Sequence, residues 1–438
     1  MPKIAFASVG CKLNRYEIQV MSESLQAHGF ETVSFAATAD CYVINTCTVT
    51  SDAETTSRQF IRRAKRRNPE AKIIVTGCYA QLRPYELRVL GIDAIVSNRD
   101  KDTLPQIARK ILGLDHSTPN NCSDNYKPRL ISHMGSLTRA FVKIQDGCDE
   151  RCTFCTIWIA RGTPNSRSSA HITQEINGLS QNRYKEVVLT GVHIGKYKRD
   201  GLDFVGLLEK LLVETSVERI RLSSLNPLEI DIRLIELLSN SSRICPHLHL
   251  SIQSGDDDIL GIMGRKYSRQ AAFGVISRVK SSVPNITIGA DFIVGFPGES
   301  NDNFENTLDL VRSSGIDYLH VFPFSDRPGT KASTMEKKVP IQIKLSRADL
   351  LRRLGQKKKQ EQMERFIGKR LMVLVENRDS KKDEYMTGLS ENYLRVDIPR
   401  RSEFKGMILE VVPQRVVDGK LITNVILGTA SPKKELTF

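Results

Sequence analysis

Residues Gly147 to Cys155 read GCDERCTFC, and within them Cys148, Cys152 and Cys155 form the spacing C-x-x-x-C-x-x-C. Three thiolates in one short loop can close on one face of an iron–sulfur cube, whose usual ligand set has a fourth cysteine. None follows at a suitable spacing. One iron then keeps an open position, the condition a catalytic metal site needs. A zinc knuckle would pair C-x-x-C with a second pair of Cys or His. The next histidine is His171, and it has no partner at ligand spacing.

Three more cysteines share a topological position. Cys11, Cys47 and Cys78 each fall just after a predicted strand, in SVGCKLN, INTCTVT and VTGCYAQ. Strands over Lys3–Val9, Asp40–Thr46, Ala71–Thr76 and Ile92–Ser97 alternate with helical segments over Asn14–His28, up to Arg67, over Pro84–Leu90 and up to Leu112. That alternation predicts a parallel, doubly wound sheet. Open α/β sheets put their sites beyond the carboxyl ends of the strands. The three cysteines therefore meet on one edge as a second metal or cluster site, again with three ligands. Cys41 falls inside a strand and reads as a buried core residue. Helix residues Arg58 to Arg67, RQFIRRAKRR, are strongly basic and read equally as a phosphate-contacting face or a solvated one.

A polar stretch from Asp115 to Thr138, with Pro119, Pro128 and a lone Cys122, reads as a linker. Beyond it six β/α units are predicted, with strands over Ala140–Gln145, Glu186–Thr190, Arg219–Ser223, His247–Ile252, Thr287–Val294 and Tyr318–Pro323. They suggest an incomplete barrel, with chemistry at the C-terminal strand ends. The Cys148 loop obeys that rule, and TGVHIGKY, SSLNP, SIQSG and GADFIVGFPGES follow later strands. Leu345–Phe366 reads as a charged, solvated connecting helix. After Ile367 five short strands predict a small antiparallel barrel. The expected organisation is residues 1–114, a linker over 115–138, a barrel over 139–366 and a terminal domain over 367–433.

The chain has 438 residues, enough for two or three domains, and a formal net charge of +14, which favours an anionic partner with nucleic acid first. Nine cysteines in a long chain argue against a disulfide scaffold and for a reducing compartment. MPKIAFASVG lacks the pattern of a signal peptide, and no apolar run is long enough to span a bilayer. The expectation is a cytoplasmic protein without a membrane partner.

The C-x-x-x-C-x-x-C loop resembles that of radical S-adenosylmethionine (SAM) enzymes, whose open iron is chelated by SAM. With Cys11, Cys47 and Cys78, the chain resembles the methylthiotransferases of that superfamily. There the scattered trio binds an auxiliary [4Fe–4S] cluster, and the C-terminal strands are similar to a TRAM domain that binds RNA. SVGCKLNRYE and FVKIQDGCDERC look most like the branch that modifies threonylcarbamoyladenosine in tRNA.

The resemblance implies two [4Fe–4S] clusters and SAM. It implies an electron donor such as flavodoxin or ferredoxin, an unidentified sulfur donor, and the tRNA anticodon loop as substrate. It places Gln253, Ser254 and Gly255 near the SAM ribose, Arg265 nearby, and Gly295 and Pro297 near the adenine. Two positions depart from the family pattern. Trp158 stands where a proline is usual, and Asn226 where a glutamate often precedes the proline of SSLNP. Two other enzymatic readings are methylthiolation of isopentenyladenosine in tRNA or of a ribosomal-protein aspartate. A non-catalytic iron–sulfur RNA-binding protein is the reading from another class.

Overall fold

The structure, a computed structural model, describes residues 1–114, 130–379 and 384–429; Cys122, Pro119 and Pro128 lie outside them. The N-terminal part runs β1 (Lys3–Ser8), α1 (Lys12–Ala27), β2 (Glu31–Val33), β3 (Cys41–Thr46), α2 (Ser51–Arg67), β4 (Lys72–Gly77), α3 (Cys78–Leu82), α4 (Pro84–Arg88), β5 (Ala94–Ile95) and α5 (Leu104–Ile111). The sheet is parallel, in the order β2-β1-β3-β4-β5. All six residues of β3 are buried because helices cover both faces. Cys41 and Val43 pack with Met21, Leu25 and Leu104 on one side. Tyr42 and Ile44 pack with Ile61 and Ala64 on the other. The edge strand β2 has no counterpart in the sequence reading, and Pro84–Leu90 is one of two short helices rather than a single element.

The barrel follows as β6 (Ala140–Lys143), β7 (Gln145–Asp146), α6 (Ile157–Arg161), β8 (Asn165–Ser166), α7 (Ser169–Gln181), β9 (Glu186–Thr190), α8 (Phe204–Glu214), β10 (Arg219–Leu222), α9 (Ile232–Asn240), β11 (His247–Gln253), α10 (Asp257–Met263), α11 (Arg269–Ser282), β12 (Thr287–Val294), α12 (Asn301–Ser313) and β13 (Tyr318–Pro323). Side chains of Asp203, Asp231, Asp256, Ser268 and Ser300 accept a backbone N–H at the starts of α8 to α12 and fix where each helix begins. Parallel strands β6, β9 and β10 form one set and β11, β12 and β13 another. Single parallel bridges, Ile220–Ile244 and Leu225–Leu250, join the sets. The result is a six-stranded arc open between β6 and β13.

α13 (Ile341–Glu364) leads to β14 (Leu371–Asp379), β15 (Tyr385–Ser390), β16 (Arg395–Pro399), β17 (Ile408–Val412), β18 (Arg415–Val417), β19 (Lys420–Ile422) and β20 (Val425–Thr429). α13 is not the solvated connector the sequence suggested. Lys344, Arg347, Ala348, Leu351, Gly355, Gln362 and Met363 make a buried stripe at helical spacing. Arg347 pairs with the buried Glu299 at 2.6 Å. Leu351 belongs to the barrel core, and Met363 to the C-terminal core. The terminal sheet has seven strands, not five, because Arg415–Val417 forms a further edge strand and KLITNVIL splits at Thr423 into β19, beside that edge, and β20, on the opposite edge. The Thr423 N–H donates to the Asp397 carbonyl and its hydroxyl to the Val412 carbonyl, which draws β16 and β17 together and curls the sheet. β16 and β19 pair in parallel; the other neighbours are antiparallel.

The terminal domain closes the lower end of the arc. Arg221, from β10, is fully buried and donates to both oxygens of Glu186, at 2.6 and 3.1 Å, and to the carbonyls of Ser390 and Glu391, each at 3.0 Å. Tyr393 lies under the guanidinium at 5.4 Å and stacks on His247 at 4.1 Å. Among the described residues no helix is long and apolar enough to cross a membrane.

Burial opposes ionisation of Glu186, but Arg221, Arg139 and Arg219 outweigh it and hold its carboxyl down at about 2. Replacing this anion leaves three arginines facing one another in the interior. Glu186→Gln should cost about 3–5 kcal/mol in a denaturation measurement. The contribution from ionisation is complete above the ordinary value of 4.5 and is lost as pH falls through about 2. The stability gap between wild type and Glu186→Gln should therefore narrow by about 3 kcal/mol as pH is lowered across that window. A gap that stays constant with pH would show that the carboxylate charge is not what holds this end together.

Candidate active site

The Cys148 loop leaves the barrel at the end of β7 and is stitched down along its length. The Cys148 N–H donates to the Gly162 carbonyl at 2.9 Å, and Cys155 to Cys152 at 3.1 Å. Thr153 donates to Met263 at 3.0 Å and accepts from Ala332 at 2.9 Å. Phe154 meets Phe296 edge-on at 6.3 Å, fixing the loop to the turn after β12. Each sulfur receives a donor. Cys148 takes the Glu150 N–H at 3.5 Å, Cys155 the Ile157 N–H at 3.4 Å, and Cys152 the Arg265 guanidinium at 3.4 Å. Donors aimed at sulfur suit thiolates. Burial, reinforced by Cys152 and Cys148, pushes the Cys155 thiol up to about 12. A metal binding here therefore displaces protons.

Cys11, Cys47 and Cys78 do converge beyond the ends of β1, β3 and β4. Cys11 precedes α1 and Cys78 opens α3. Gly10 has φ +94°, and a Cβ on it would lie 2.6 Å from Cys47 Sγ, so only glycine lets the first loop approach the second cysteine. Asn14 donates to the Val9 carbonyl at 2.7 Å and the Thr46 carbonyl at 3.1 Å, clamping two loops together. The Thr46 hydroxyl donates to Thr76 at 2.6 Å and ties in the third. Cys47 accepts from the Val49 N–H at 3.5 Å, and Cys78 from Arg161 Nε at 3.3 Å. Burial, with Cys11 and Cys78 nearby, raises the Cys47 thiol to about 12.

The fit to a cube can be tested on spacing. Within each trio the sulfurs lie in electrostatic reach of one another. Yet among the described residues the one three-member His, Cys, Asp or Glu set with all ligand atoms inside 4.8 Å is His249, Asp291 and His320. Neither thiol trio closes around a point ion. A cube does not need that closeness, since each thiolate takes its own iron.

Beside the Cys148 loop lies a cavity of about 230 Å³, which Cys155, of the six cysteines, lines. Val49 and Thr50, just past Cys47, form one wall; Phe154 and Cys155 form another; Gln253 and Asp291 line the barrel side. Of the six expected SAM contacts, Gln253 faces this space, at φ +72°. Arg265 lies at the cluster loop, bonded to Cys152, the Ser251 carbonyl and Asn226. Ser254 and Gly255 bond to Thr307 instead, and a Cβ on Gly255 would meet the backbone of α12. The Gly295 N–H donates to Glu299 at 2.6 Å, and Pro297 is buried in the same turn.

Three residues here were not singled out in the sequence: His193, Glu229 and Arg161. His193, within TGVHIGKY, sits 3.6 Å from Cys148 Sγ and bonds Glu229 through its other nitrogen. Burial would lower its pKa, but the bonds to Cys148 and Glu229 prevail and raise it to about 9. Asn226 bonds Arg265, lies 2.7 Å from His193 Nε2, and takes the Glu229 carboxylate on its own N–H at 2.9 Å. The acid absent at position 226 is thus present three residues later. Trp158 is half-buried with Arg151 over its ring at 5.7 Å. Arg161 is buried between the trios, donating to Glu17 at 2.8 Å, Asp146 at 3.1 Å and Asn14 at 3.0 Å. Only the tripeptide ARG after the Cys148 loop hinted at it.

Residues 3–97 match an uncharacterized protein family, UPF0004, and residues 142–311 match the radical SAM superfamily. A threonylcarbamoyladenosine tRNA methylthiotransferase, MtaB, of Aquifex aeolicus (strain VF5) is 40% identical, over 91% of this chain and 96% of its own. The MtaB of Bacillus subtilis (strain 168) is 36% identical over 94% and 93%. A tRNA-2-methylthio-N(6)-dimethylallyladenosine synthase of Staphylococcus haemolyticus (strain JCSC1435) is 31% identical over 92% of this chain and 80% of its own. Among solved structures, the radical SAM methyltransferase TsrM from Kitasatospora setae shares the fold, with TM-score 0.56 at 15% identity over 76% of this chain and 77% of that one. The chain belongs to the radical SAM methylthiotransferase family, within which it is most like the threonylcarbamoyladenosine tRNA members.

Proposed function

We propose that this enzyme methylthiolates C2 of N6-threonylcarbamoyladenosine at position 37 of tRNA, next to the anticodon. The observation that carries the reading is the pair of three-cysteine sets joined through Arg161, which follows one set and donates to Cys78 of the other, in a chain 40% identical to a threonylcarbamoyladenosine tRNA methylthiotransferase. When bound, a cluster on Cys148, Cys152 and Cys155 would supply the electron that splits SAM to a 5′-deoxyadenosyl radical, and a second on Cys11, Cys47 and Cys78 the sulfur to be transferred.

The chain's own residues make the surroundings. An aromatic C–H bond is too strong and too weakly acidic for side-chain bases, so none is needed at C2. Val49, Phe154 and Phe322 give the cavity apolar walls. Gln253 offers an amide to a ribose, and Arg265 a cation to a carboxylate. The net charge of +14, the exposed Arg62, Arg63 and Arg66 on α2, and the terminal strand domain supply the polyanion contacts. We assign residues 1–114 to the auxiliary-cluster domain, 139–366 to the radical SAM domain and 367–433 to RNA binding. Reduction by flavodoxin or ferredoxin completes the scheme.

Mass analysis of tRNA nucleosides from cells lacking the protein should show the 2-methylthio derivative of threonylcarbamoyladenosine gone and its precursor retained. Loss of the isopentenyladenosine derivative instead, or of a methylthio group on a ribosomal-protein aspartate, would assign the enzyme to a neighbouring branch. The two trios should also separate in vitro. Anaerobically reconstituted protein should hold about eight irons per chain. Cys152→Ala should hold about four and lose SAM cleavage. The variant Cys11→Ala/Cys47→Ala/Cys78→Ala should also hold about four, keep SAM cleavage and form no methylthiolated product. Product formation by either variant would end this assignment of roles.

A further inference from the structure

Arg161 touches both halves of the site. It stands six residues after Cys155, at the end of α6, and its side chain is 3% exposed. Its Nε donates to Cys78 Sγ at 3.3 Å. One terminal nitrogen donates to Glu17 at 2.8 Å and to both oxygens of Asp146 at 3.1 Å. The other donates to Asn14 at 3.0 Å and Glu17 at 3.2 Å. Asp146 is two residues before Cys148, while Asn14 and Glu17 lie on the helix that begins after Cys11. Lys101 also bonds Glu17, and Lys143 lies 2.6 Å from Asp146. This set, buried at Arg161 and Glu17 and half-buried at the others, holds three cations, Arg161, Lys101 and Lys143, against two carboxylates, Glu17 and Asp146. Its surplus positive charge lies directly against the Cys78 thiol.

Hydrogen bonds to ligand sulfurs and the local net charge are two terms that set the reduction potential of an iron–sulfur cluster. A cation donating to a thiolate stabilises the more negative, reduced state. A nearby carboxylate acts the other way. We propose that Arg161 is a positioning residue that raises the reduction potential of the cluster held by Cys11, Cys47 and Cys78, with Glu17 setting how much of its charge that cluster feels. This rests on the reading of that trio as a cluster site. It adds the specific role of a residue on the other domain. The potential of the sulfur-bearing centre then depends on closure of the junction between α1 and α6.

The test uses the full-length chain carrying Cys148→Ala/Cys152→Ala/Cys155→Ala, so that one cluster remains, and reads its midpoint by EPR-monitored redox titration. About four irons per chain should bind. A chain that binds none would overturn both the cluster assignment and the inference built on it. With the cluster present, Arg161→Gln should shift the one-electron equilibrium at least tenfold toward the oxidised state, a midpoint lower by about 59 mV or more. Glu17→Gln should shift it in the opposite direction. A purely structural strut would lower the melting temperature in both variants and leave the midpoint where it was, or move it the same way in both. Either result would overturn the inference and leave the cluster assignment standing. If Arg161→Gln does not accumulate as folded protein, the sign of the Glu17→Gln shift decides alone: an unchanged or lower midpoint overturns the proposal.

Discussion

The site depends on one constraint: sulfur-bearing loops from separate domains must be held in the interior without leaving a charge unpaired there. Arg161 and Glu17 meet that constraint. Burial alone would keep Glu17 protonated, but Lys101, Arg161 and Lys143 hold its carboxyl well below the usual range. Breaking a buried pair leaves an uncompensated charge, which is strongly destabilising. The same contacts carry geometry. Glu17 and Asn14 fix the start of α1 and with it Cys11; Asp146 fixes the approach to Cys148; Arg161 itself fixes the exit from Cys155. An ionic cluster between two sheets thus registers the carboxyl ends of one against those of the other.

The opposite end of the arc faces a related problem with a different answer. Six strands do not close a barrel, and buried Arg221 would face an open end. The terminal domain supplies the Ser390 and Glu391 carbonyls as acceptors and Tyr393 as a ring beneath the guanidinium. α13 reinforces the joint by placing Leu351 in one core and Met363 in the other. A domain attached through a buried arginine, a stacked tyrosine and a shared helix cannot swing freely.

What could be read from the chain follows from how local each feature is. The buried strands CYVINT and TIGADFIV announce themselves as continuous β-prone runs because both faces are covered. The cysteines after β1, β3 and β4 could be grouped because topology alone puts those loops on one edge. The split of KLITNVIL could not be seen, since a strand that leaves β16 for β17 at Thr423 keeps its β propensity throughout. The buried stripe of α13 was hidden because Lys344 and Arg347 stand at core positions, their charged ends directed to Phe324 and Glu299. The packing of Ser254 and Gly255 against α12 was not legible in SIQSG, since small polar residues suit both a ligand loop and a loop seated on a helix.

The pairing around Cys148 shows how a carboxylate reaches His193 although position 226 holds an amide. A carboxylate beside His193 stabilises the imidazolium and orients the ring toward the sulfur. What matters is where the oxygens lie. Asn226 begins a single helical turn through Glu229, with the Glu229 side chain returning to the Asn226 N–H. That turn brings an acid three positions later to His193. The amide at 226 is then free to do what a second carboxylate would do less selectively. Its oxygen accepts from Arg265, and its nitrogen faces Glu229. Division of labour between an amide and an acid links His193 to Arg265, and so Cys148 to Cys152, through a chain of contacts that a comparison at position 226 alone would score as a loss.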